Sequence, residues 1–357
     1  MTGPVVTFGP GDPARRRQIG LWLAIWAGLL LLLVVIGGVT RLTEAGLSIT
    51  EWQPVSGVLP PLSHQAWQNE FTKYQTIPEF RLLHSWMTLG DFQRIYLTEY
   101  IHRLWARLLG VAFAVPLLVF ALRRGLGGPL TRRLVALLVL MGLQGAMGWY
   151  MVKSGLAGRT SVSQYRLAAH LALALVIFAV TLWTAADLLR KPASGGNPGL
   201  RGYRRAATGL SLLVFVNAIA GAFVAGLRAG KVYNTFPLMG DALVPAGYGQ
   251  LTPWYLNWFE NAAAVQFNHR LLGIAIVLAA VGLWWAGRRR PLSSGARWCS
   301  QGLAWMGVLQ VGLGVATLLL VVPIALAAVH QAGAVILLAL TILLVHALGE
   351  PAEQQPG

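Results

Sequence analysis

The stretch that decides the fold runs from residue 18 to residue 39 and reads QIGLWLAIWAGLLLLLVVIGGV. It contains no charged residue, and roughly 20 apolar residues of helix cross a bilayer core about 30 Å thick. Three arginines precede it, and it is too long and too poorly terminated for a cleaved signal peptide. We therefore expect a retained membrane helix. Seven similar stretches follow, near residues 99–122, 131–152, 165–189, 205–227, 262–287, 297–320 and 325–348.

The composition of the whole chain agrees with this first stretch. Of 357 residues, 56% are apolar or aromatic and only 11% are charged, whereas about a quarter of a typical soluble chain is charged. These values exclude a disordered, collagen-like or ordinary cytosolic protein. They predict an all-α integral membrane protein with eight transmembrane helices and no soluble domain outside the spans. The single cysteine, Cys299, can form neither an internal disulfide nor a zinc cluster.

The positive charges predict the orientation. The net charge of +16 does not indicate a nucleic-acid surface, because no basic block is interleaved with aromatic residues. When the loops are assigned to alternate sides, one side collects sixteen of the 28 Lys and Arg residues, in the short segments 15–17, 123–133, 190–205 and 288–297. Short loops rich in Lys and Arg stay in the cytoplasm. We therefore expect both termini to be cytoplasmic and the long loops 40–98 and 228–261 to face outward.

The order of motifs predicts an internal repeat, with two four-helix bundles at residues 18–190 and 204–348. HRL opens span two at residue 102 and span six at residue 269, and LQxxxG recurs in spans three and seven at residues 143 and 309. Spans four and eight each begin with small residues that lead into a histidine. Three echoes in the same order indicate duplication.

Four of the seven histidines share one predicted depth. His102, His170, His269 and His330 each lie four to eight residues inside the outer end of an even-numbered span. Any one of them alone could be a structural histidine that forms hydrogen bonds near a helix end. Two per repeat at equal depth favours another interpretation, since membrane cytochromes hold haem iron between two imidazoles inside a helical bundle. We expect one bis-histidine haem site in each half.

The two predicted sites differ at one position. Glu99 precedes His102 by three residues, which places both on one helix face, and Gln266 occupies the matching place before His269. An ionisable group at membrane depth is a functional candidate, so we expect the first half to be catalytic. The alternative is an interfacial glutamate that pairs with Arg94 or Arg103.

The remaining histidines and arginines carry weaker expectations. Arg103 and Arg270 directly follow a predicted ligand and suit haem propionates; snorkelling to the interface would explain them equally well. We expect His64 and His84 to be solvated in the first outer loop. His346 lies 16 residues beyond His330 and is expected to be structural.

These residues together resemble the haem A synthase family. The resemblance rests on GVTRLTEAGLS at residues 38–48, EWQP at 51–54, EYIHR at 99–103 and NHR at 268–270, and it extends over nearly the whole chain. It implies an oxidoreductase that converts the ring methyl group of haem O into the formyl group of haem A, for respiratory terminal oxidases. Two successive hydroxylations would give a geminal diol that loses water to the aldehyde.

The resemblance also implies roles for single residues. His102 and His170 would face the substrate haem O, whereas His269 and His330 would ligate a haem b cofactor. Glu99 matches the family's acidic residue at the reactive site, which is proposed to support a cationic intermediate. The segment 40–98 contains no cysteine, so the chain resembles the branch shared by proteobacteria and mitochondria.

Two other functions stay open at this point. A non-catalytic di-haem electron carrier would use the same histidines, although a transmembrane carrier stacks its haems near opposite faces. A transporter would need polar residues near the midplane, and these spans have few. The expected partners are the lipid bilayer, haem O, a haem O synthase and an electron-transfer partner, with no nucleic acid; homo-oligomerisation stays open. The N-terminus favours a bacterial plasma (inner) membrane, because Asp12 lies among its arginines.

Overall fold

A computed structural model describes residues 12–53, 56–123, 126, 128–190 and 198–349. Pro54 of the EWQP motif, and Arg124 and Lys191 from the charge distribution, lie outside these described residues. Within them, nine α-helices follow one another along the chain. They are α1 (Pro13–Leu42), α2 (His64–Gln75), α3 (Leu89–Leu122), α4 (Gly128–Leu156), α5 (Gln164–Leu189), α6 (Arg201–Gly226), α7 (Ala262–Gly287), α8 (Ser294–Leu319) and α9 (Ile324–Ala347).

Eight of these helices, all except α2, are long and apolar enough to cross a membrane. The chain is therefore an all-α, multi-pass membrane protein, as the composition predicts. Most helices begin before the predicted spans, most of all α3, which begins at Leu89 rather than near residue 99. Thr88 and Asp91 form a capping box there, with the Thr88 hydroxyl accepting from the Asp91 backbone N–H at 3.3 Å. At about 1.5 Å per residue, the 34 residues of α3 span about 51 Å and extend beyond a bilayer core.

The extension of α3 supports a small packed unit, which we call the α2 cap. The cap consists of α2, residues 76–84, the first turns of α3 and the segment 44–49. Its buried side chains are Ala45, Leu47, Phe71, Tyr74, Ile77, Phe92, Ile95 and Tyr96. The sequence predicts only a long loop here, because α2 is too short and too polar to stand out from hydropathy. Tertiary packing of aromatic rings, such as Phe71 against Phe92 at 5.1 Å, stabilises it instead.

His84 shows the consequence of this packing and corrects one prediction. We expected both loop histidines to be solvated; His64 is exposed, but His84 is only 7% exposed. The Tyr74 hydroxyl and the His84 Nδ1 atom lie 2.7 Å apart, and Tyr74 is fully buried in the cap. A local loop pattern cannot reveal this burial, since it depends on α2 folding over the end of α3.

The centre of the bundle is formed by α1, α5, α6 and α9. Helix α1 packs against α5 and α9, and α6 packs against the same two helices. Helices α3 and α4 flank one side, and α7 and α8 flank the other. We call α1 to α5 the first half and α6 to α9 the second half. The flanks differ, because α7 and α8 pack closely along each other while α3 and α4 touch only sparsely.

Tryptophan side chains stabilise the contact between α1 and α3. Pro116 lies inside α3 and has no N–H, so the carbonyl of Ala112 loses its helical partner. The indole N–H of Trp22 donates to that carbonyl at 3.0 Å, and Trp26 donates to the Leu109 carbonyl at 3.0 Å. A proline at membrane depth is tolerated here because a neighbouring helix satisfies the freed backbone group.

Candidate functional site

The histidines of the second half face each other. The ring centroids of His269 on α7 and His330 on α9 lie 6.4 Å apart, and the ring planes are nearly perpendicular at 86°. A metal ion held by two imidazoles needs about 2 Å for each bond to nitrogen. Adding about 1 Å from each nitrogen to its ring centre gives a separation of about 6 Å. The pair therefore fits the two axial ligands of a haem iron.

Glycines provide the space for both of these imidazoles. A Cβ atom built on Gly221 of α6 would lie 3.2 Å from Cε1 of His269, and one built on Gly314 of α8 would lie 2.9 Å from Cε1 of His330. Any larger residue would push the rings out of position. A backbone group of the glycine-bearing helix also lies beside each ring, that of Asn217 beside His269 and that of Gln310 beside His330. Histidines that bind a metal commonly form such a hydrogen bond through the ring nitrogen that does not contact the metal.

The histidines of the first half lie in a matching environment. A Cβ on Gly37 of α1 would approach Cε1 of His102 to 3.2 Å, and a Cβ on Gly148 of α4 would approach Cε1 of His170 to 3.2 Å. His102 and His170 are close enough to influence each other electrostatically. Each of the four predicted ligands thus lies on one helix and packs against a glycine of a neighbouring helix.

A glutamine on the glycine-bearing helix reaches the backbone of one histidine in each half. Gln144 of α4 donates from Nε2 to the carbonyl of His170 at 3.0 Å, and Gln310 of α8 donates to the carbonyl of His330 at 2.8 Å. These are the glutamines of the two LQxxxG motifs. The motif therefore has a local meaning: the glutamine holds the turn that carries a histidine, and the glycine one turn later makes room for its ring.

Glu99 is buried at the boundary between α3 and the α2 cap, and it is 2% exposed. Its Oε2 atom accepts from the Ser48 hydroxyl at 2.7 Å and from the Ile49 backbone N–H at 2.9 Å. Its Oε1 atom accepts from Nε of Arg103 at 3.0 Å. Of the two arginines considered as partners, Arg103 makes this ion pair, while Arg94 lies 3.9 Å from Asp91. Hydrogen bonds from Ser48 and Ile49 and the ion pair with Arg103 thus hold the Glu99 carboxylate in place, one turn before His102.

Arg103 also contacts the segment that precedes α2. Its Nη2 atom donates to the carbonyl of Ile49 at 3.1 Å. The same guanidinium lines a cavity of about 250 Å³, together with Trp52 of that segment and Trp149 and Lys153 of α4. The cavity is thus bordered by two cations, two large aromatic rings and the acidic residue Glu51. Lys153 has no sequence signal beyond its place near the end of a span.

In the second half, the residue that matches Glu99 donates a hydrogen bond where Glu99 accepts hydrogen bonds. Gln266 is also 2% exposed, but it donates from Nε2 to the carbonyl of Tyr233 at 3.0 Å. Arg270 donates to the carbonyls of Tyr233 and Thr235 at 2.8 and 2.9 Å. Both residues therefore hold the segment 228–261 through its carbonyls. The Nε atom of Arg270 is buried without a partner among the described residues, so it can still receive an anionic group.

His346 lies apart from these sites. Its Nε2 atom is 2.9 Å from Oδ1 of Asp187, and its ring packs edge-on against Trp183 at 5.1 Å. It thus joins α9 to α5 near the far ends of both helices, as its spacing from His330 predicts. The residues that sequence analysis missed are Ser48, Ile49 and the histidine-packing glycines. Ser48 was visible in the motif at 38–48, and Gly148 and Gly314 were visible in the LQxxxG motifs, but no pattern indicated their contacts.

The chain matches known proteins over almost its whole length. Residues 20–342 match the model of the family COX15-CtaA, described as cytochrome oxidase assembly protein. The chain is 47% identical over 326 residues to a protein of Nitrosospira multiformis named "Heme A synthase", with 91% of each chain covered. A protein of the same name from Parvibaculum lavamentivorans is 46% identical, with 94% and 96% covered.

Mitochondrial relatives are similar to nearly the same degree. The human protein named "Heme A synthase COX15" is 44% identical over 332 residues, which cover 91% of this chain and 81% of the relative. The family match and these identities far exceed what a shared membrane composition would produce. The chain therefore belongs to the COX15-CtaA family of cytochrome oxidase assembly proteins.

Proposed function

We propose that this protein is a haem A synthase, an oxidoreductase that converts the C-methyl group of haem O into the formyl group of haem A. The observation that carries the proposal is the match of 44–47% identity, over at least nine-tenths of this chain, to proteins with that name. The facing imidazoles of His269 and His330 support it independently, because they fit a haem iron. The di-haem carrier considered above is not favoured, since these relatives are named as synthases.

In this proposal the first half carries the reaction. Conversion of a methyl group into a formyl group with one water releases four electrons and four protons. The carboxylate of Glu99 can accept a proton from the attacking water, or stabilise positive charge that develops at the methyl carbon. The hydrogen bonds from Ser48 and Ile49 fix the direction of the carboxylate. His102 and His170 would hold the substrate haem so that its methyl group lies near Glu99.

The second half would hold haem b through His269 and His330. Bound haem b would supply one-electron redox chemistry. The chain would provide the two imidazole ligands. Gln266 stands where the first half has the Glu99 carboxylate, and its amide donates to a backbone carbonyl, so no carboxylate lies at this position beside His269. Arg103 and Lys153 in the first half, and Arg270 in the second, are the cations that we assign to propionate groups.

The packing of the flanking helices supports the division of labour. A substrate has to enter and leave, whereas a resident cofactor does not. Helices α3 and α4 touch only sparsely, and Gly142 and Gly145 of α4 meet no other atom within 4 Å of an added Cβ. Helix α8, by contrast, packs Gly307 against Val277 and Ala280 of α7 at 3.6 Å. We infer that haem O passes between α3 and α4 from the lipid phase.

The cellular setting follows from the same proposal. Positive charge in the short connections places both termini in the cytoplasm of a bacterium, with the four histidines near the outer face of the plasma membrane. A haem O synthase would deliver the substrate, and an electron-transfer partner would take the released electrons. A homo-oligomer is compatible with the exposed apolar helix surfaces.

Expression beside a haem O synthase, in a host without haem A, tests the function. We expect extracted pigments to contain haem A only when this chain is present. Haem O that remains unchanged, although the chain is in the membrane and binds haem b, would refute the synthase and restore the electron carrier. The Glu99→Gln variant in the same host serves as the matched control for background oxidation.

A further inference from the structure

Two non-glycine residues at the histidine end of the bundle adopt left-handed backbone conformations and contact each other. Glu44 has φ 56° and Arg228 has φ 52°. Each lies two residues beyond the last helical residue of the first helix of its half, Leu42 in α1 and Gly226 in α6. Non-glycine residues adopt this conformation at a cost, and they keep it only where the surroundings impose it.

Backbone hydrogen bonds of the helix end, such as Ala45 N–H to the Thr40 carbonyl at 3.0 Å, accompany the left-handed turn at Glu44, and a charge pair between the halves joins the two turns. Nη2 of Arg228 lies 2.9 Å from Oε1 of Glu44. Nη2 of Arg41, at the end of α1, donates to the carbonyl of Gly226 at 3.1 Å and brings the two helix ends together. Gly226 itself packs against Gln164 at the start of α5, where an added Cβ would lie 2.8 Å from the backbone Cα. One hydrogen bond from Arg41 and one ion pair from Arg228 thus join the two turns.

The other oxygen of Glu44 faces the α2 cap. Oε2 lies 3.5 Å from Nε2 of His84, and the Nδ1 atom of the same ring is 2.7 Å from the Tyr74 hydroxyl. Tyr74 in turn donates to Glu79 at 3.2 Å. One carboxylate thus connects the second half of the molecule to the buried polar residues of the cap.

Glu44 is also the first residue of the segment 44–49, whose last two residues contact Glu99. Backbone hydrogen bonds tighten this segment, from Ala45 N–H to the Thr40 carbonyl at 3.0 Å and from Ser48 N–H to the Ala45 carbonyl at 3.1 Å. Its last two residues, Ser48 and Ile49, donate to the Glu99 carboxylate. A displaced turn at residue 44 would therefore move both donors.

We propose that Glu44 and Arg228 are positioning residues for the reaction at Glu99: their ion pair sets the turn that presents Ser48 and Ile49 to the Glu99 carboxylate. This proposal rests on the proposed function. Neither residue touches the substrate in it. The second half thereby controls the geometry of the first through the side chain of Arg228, which lies on the turn after α6, and not through the haem sites.

The test measures conversion of haem O by full-length variants in membranes beside a haem O synthase. We expect Arg228→Gln to lower the ratio of haem A to haem O by about tenfold, since small displacements of reacting groups have effects of this size. Arg228→Gly should be impaired in the same way, because glycine keeps the left-handed turn but removes the charge. Arg228→Lys should retain most of the activity. The surface variant Arg94→Gln is the control and should match the wild type.

A double-mutant cycle tests the route. If Arg228 acts through Ser48, the loss caused by Arg228→Gln should be smaller in a Ser48→Ala background than in the wild type. Additive losses would overturn the route, and wild-type conversion by both Arg228→Gln and Arg228→Gly would overturn the proposal. Equal impairment of Arg228→Lys and Arg228→Gln would overturn the role of the charge.

Two further measurements separate the possible failures. Bound haem b, measured by Soret absorbance, should stay at the wild-type level in every variant. If Arg228→Gln does not accumulate in the membrane, Glu44→Gln tests the same pair from its other side and should show the same loss of conversion. Absence of haem A with the wild type would instead refute the proposed function.

Discussion

The two halves of this protein hold their histidines alike but treat the adjacent polar residue in opposite ways. In the second half Gln266 donates to the carbonyl of Tyr233, whereas in the first half Glu99 accepts from Ser48 and Ile49. Arginines one turn later, Arg270 and Arg103, bind backbone carbonyls of the connecting segment in both cases. We propose that this single charge, placed where the connecting segment can provide N–H and O–H donors, distinguishes the reactive site from the binding site.

The largest expected effect comes from removing that charge. Glu99→Gln should lower the conversion of haem O by at least about 100-fold, as expected for the loss of an acid-base group. Bound haem b should stay unchanged. The reciprocal variant Gln266→Glu should not create a second reactive site, because the carbonyl of Tyr233 offers no donor. Pigment extraction and the Soret spectrum measure both effects, and a fully active Glu99→Gln variant would remove the catalytic assignment.

The second-largest expected effect comes from replacing the glycines that pack against the histidines, which should affect haem binding differently in the two halves. Gly314→Val pushes against His330, and Gly148→Val pushes against His170. Overpacking of this kind costs about 1–3 kcal/mol, so we expect binding at the affected site to fall about tenfold. Gly314→Val should lose haem b, whereas Gly148→Val should keep haem b and accumulate haem O.

Gly312→Val is the matched control for these replacements, because nothing lies within 4 Å of an added Cβ there and Gly312 lies on the same helix α8 as Gly314. Haem content and haem A formation should both match the wild type. Loss of haem b from the Gly148→Val variant would contradict the assignment of separate sites to the two halves.

The connecting segments should differ in their response to pH. Glu79 in the α2 cap is 2% exposed, whereas Asp241 and Glu260 of the segment 228–261 are exposed. Burial raises the pKa of Glu79 from 4.5 to about 8, although the hydrogen bond from Tyr74 opposes this shift. Glu44 and Glu99 raise the pKa of Glu79 further, and Arg228 lowers it. Nδ1 of His84 lies 2.7 Å from the hydroxyl of Tyr74, which also donates to Glu79.

A carboxyl group with a raised pKa binds its proton more tightly in the folded state. Its contribution to stability is complete below about pH 4.5 and is lost as the pH rises through about 8. The free energy of unfolding of the cap should therefore fall with pH in this window, by at most about 1.4 kcal/mol per pH unit. Hydrogen exchange of residues 64–84 measures this slope. Glu79→Gln should flatten it, and an unchanged slope in that variant would assign the effect to another group.

The smallest expected effect concerns the two glutamines. Gln310→Leu removes one hydrogen bond to the His330 carbonyl, which is worth about 1 kcal/mol. Haem b should dissociate a few-fold faster in this variant. Gln144→Leu makes the same change in the first half and should leave haem b dissociation unaltered. Equal acceleration in both variants would mean that the glutamines act on the whole bundle rather than on their own sites.

The sequence predicts the spans well because their signals are local. Long apolar runs determine α1 and α9, and the spacing of Glu99, His102 and Arg103 places them together on one helix. The start of α3 at Leu89 escaped prediction because its first turns are mixed in polarity and depend on a capping box. Long-range packing also explains the miss at His84, whose burial requires Tyr74 from α2.

The contacts of the site were harder to predict than its residues. Ser48 and Ile49 contact Glu99 although about 50 residues of chain separate them from it. Glu44 and Arg228 are still farther apart in the sequence and lie in different halves, so no local pattern predicts their pairing. The ion pair of Glu99 with Arg103 was one of the alternatives open from sequence, and the structure contains it.

The most direct test of the division between the halves is the haem content of four purified histidine variants, expressed beside a haem O synthase. We expect His269→Ala and His330→Ala to lose haem b, and His102→Ala and His170→Ala to keep haem b while forming no haem A. Retention of haem b by both second-half variants, or its complete loss from the first-half variants, would contradict the assignment.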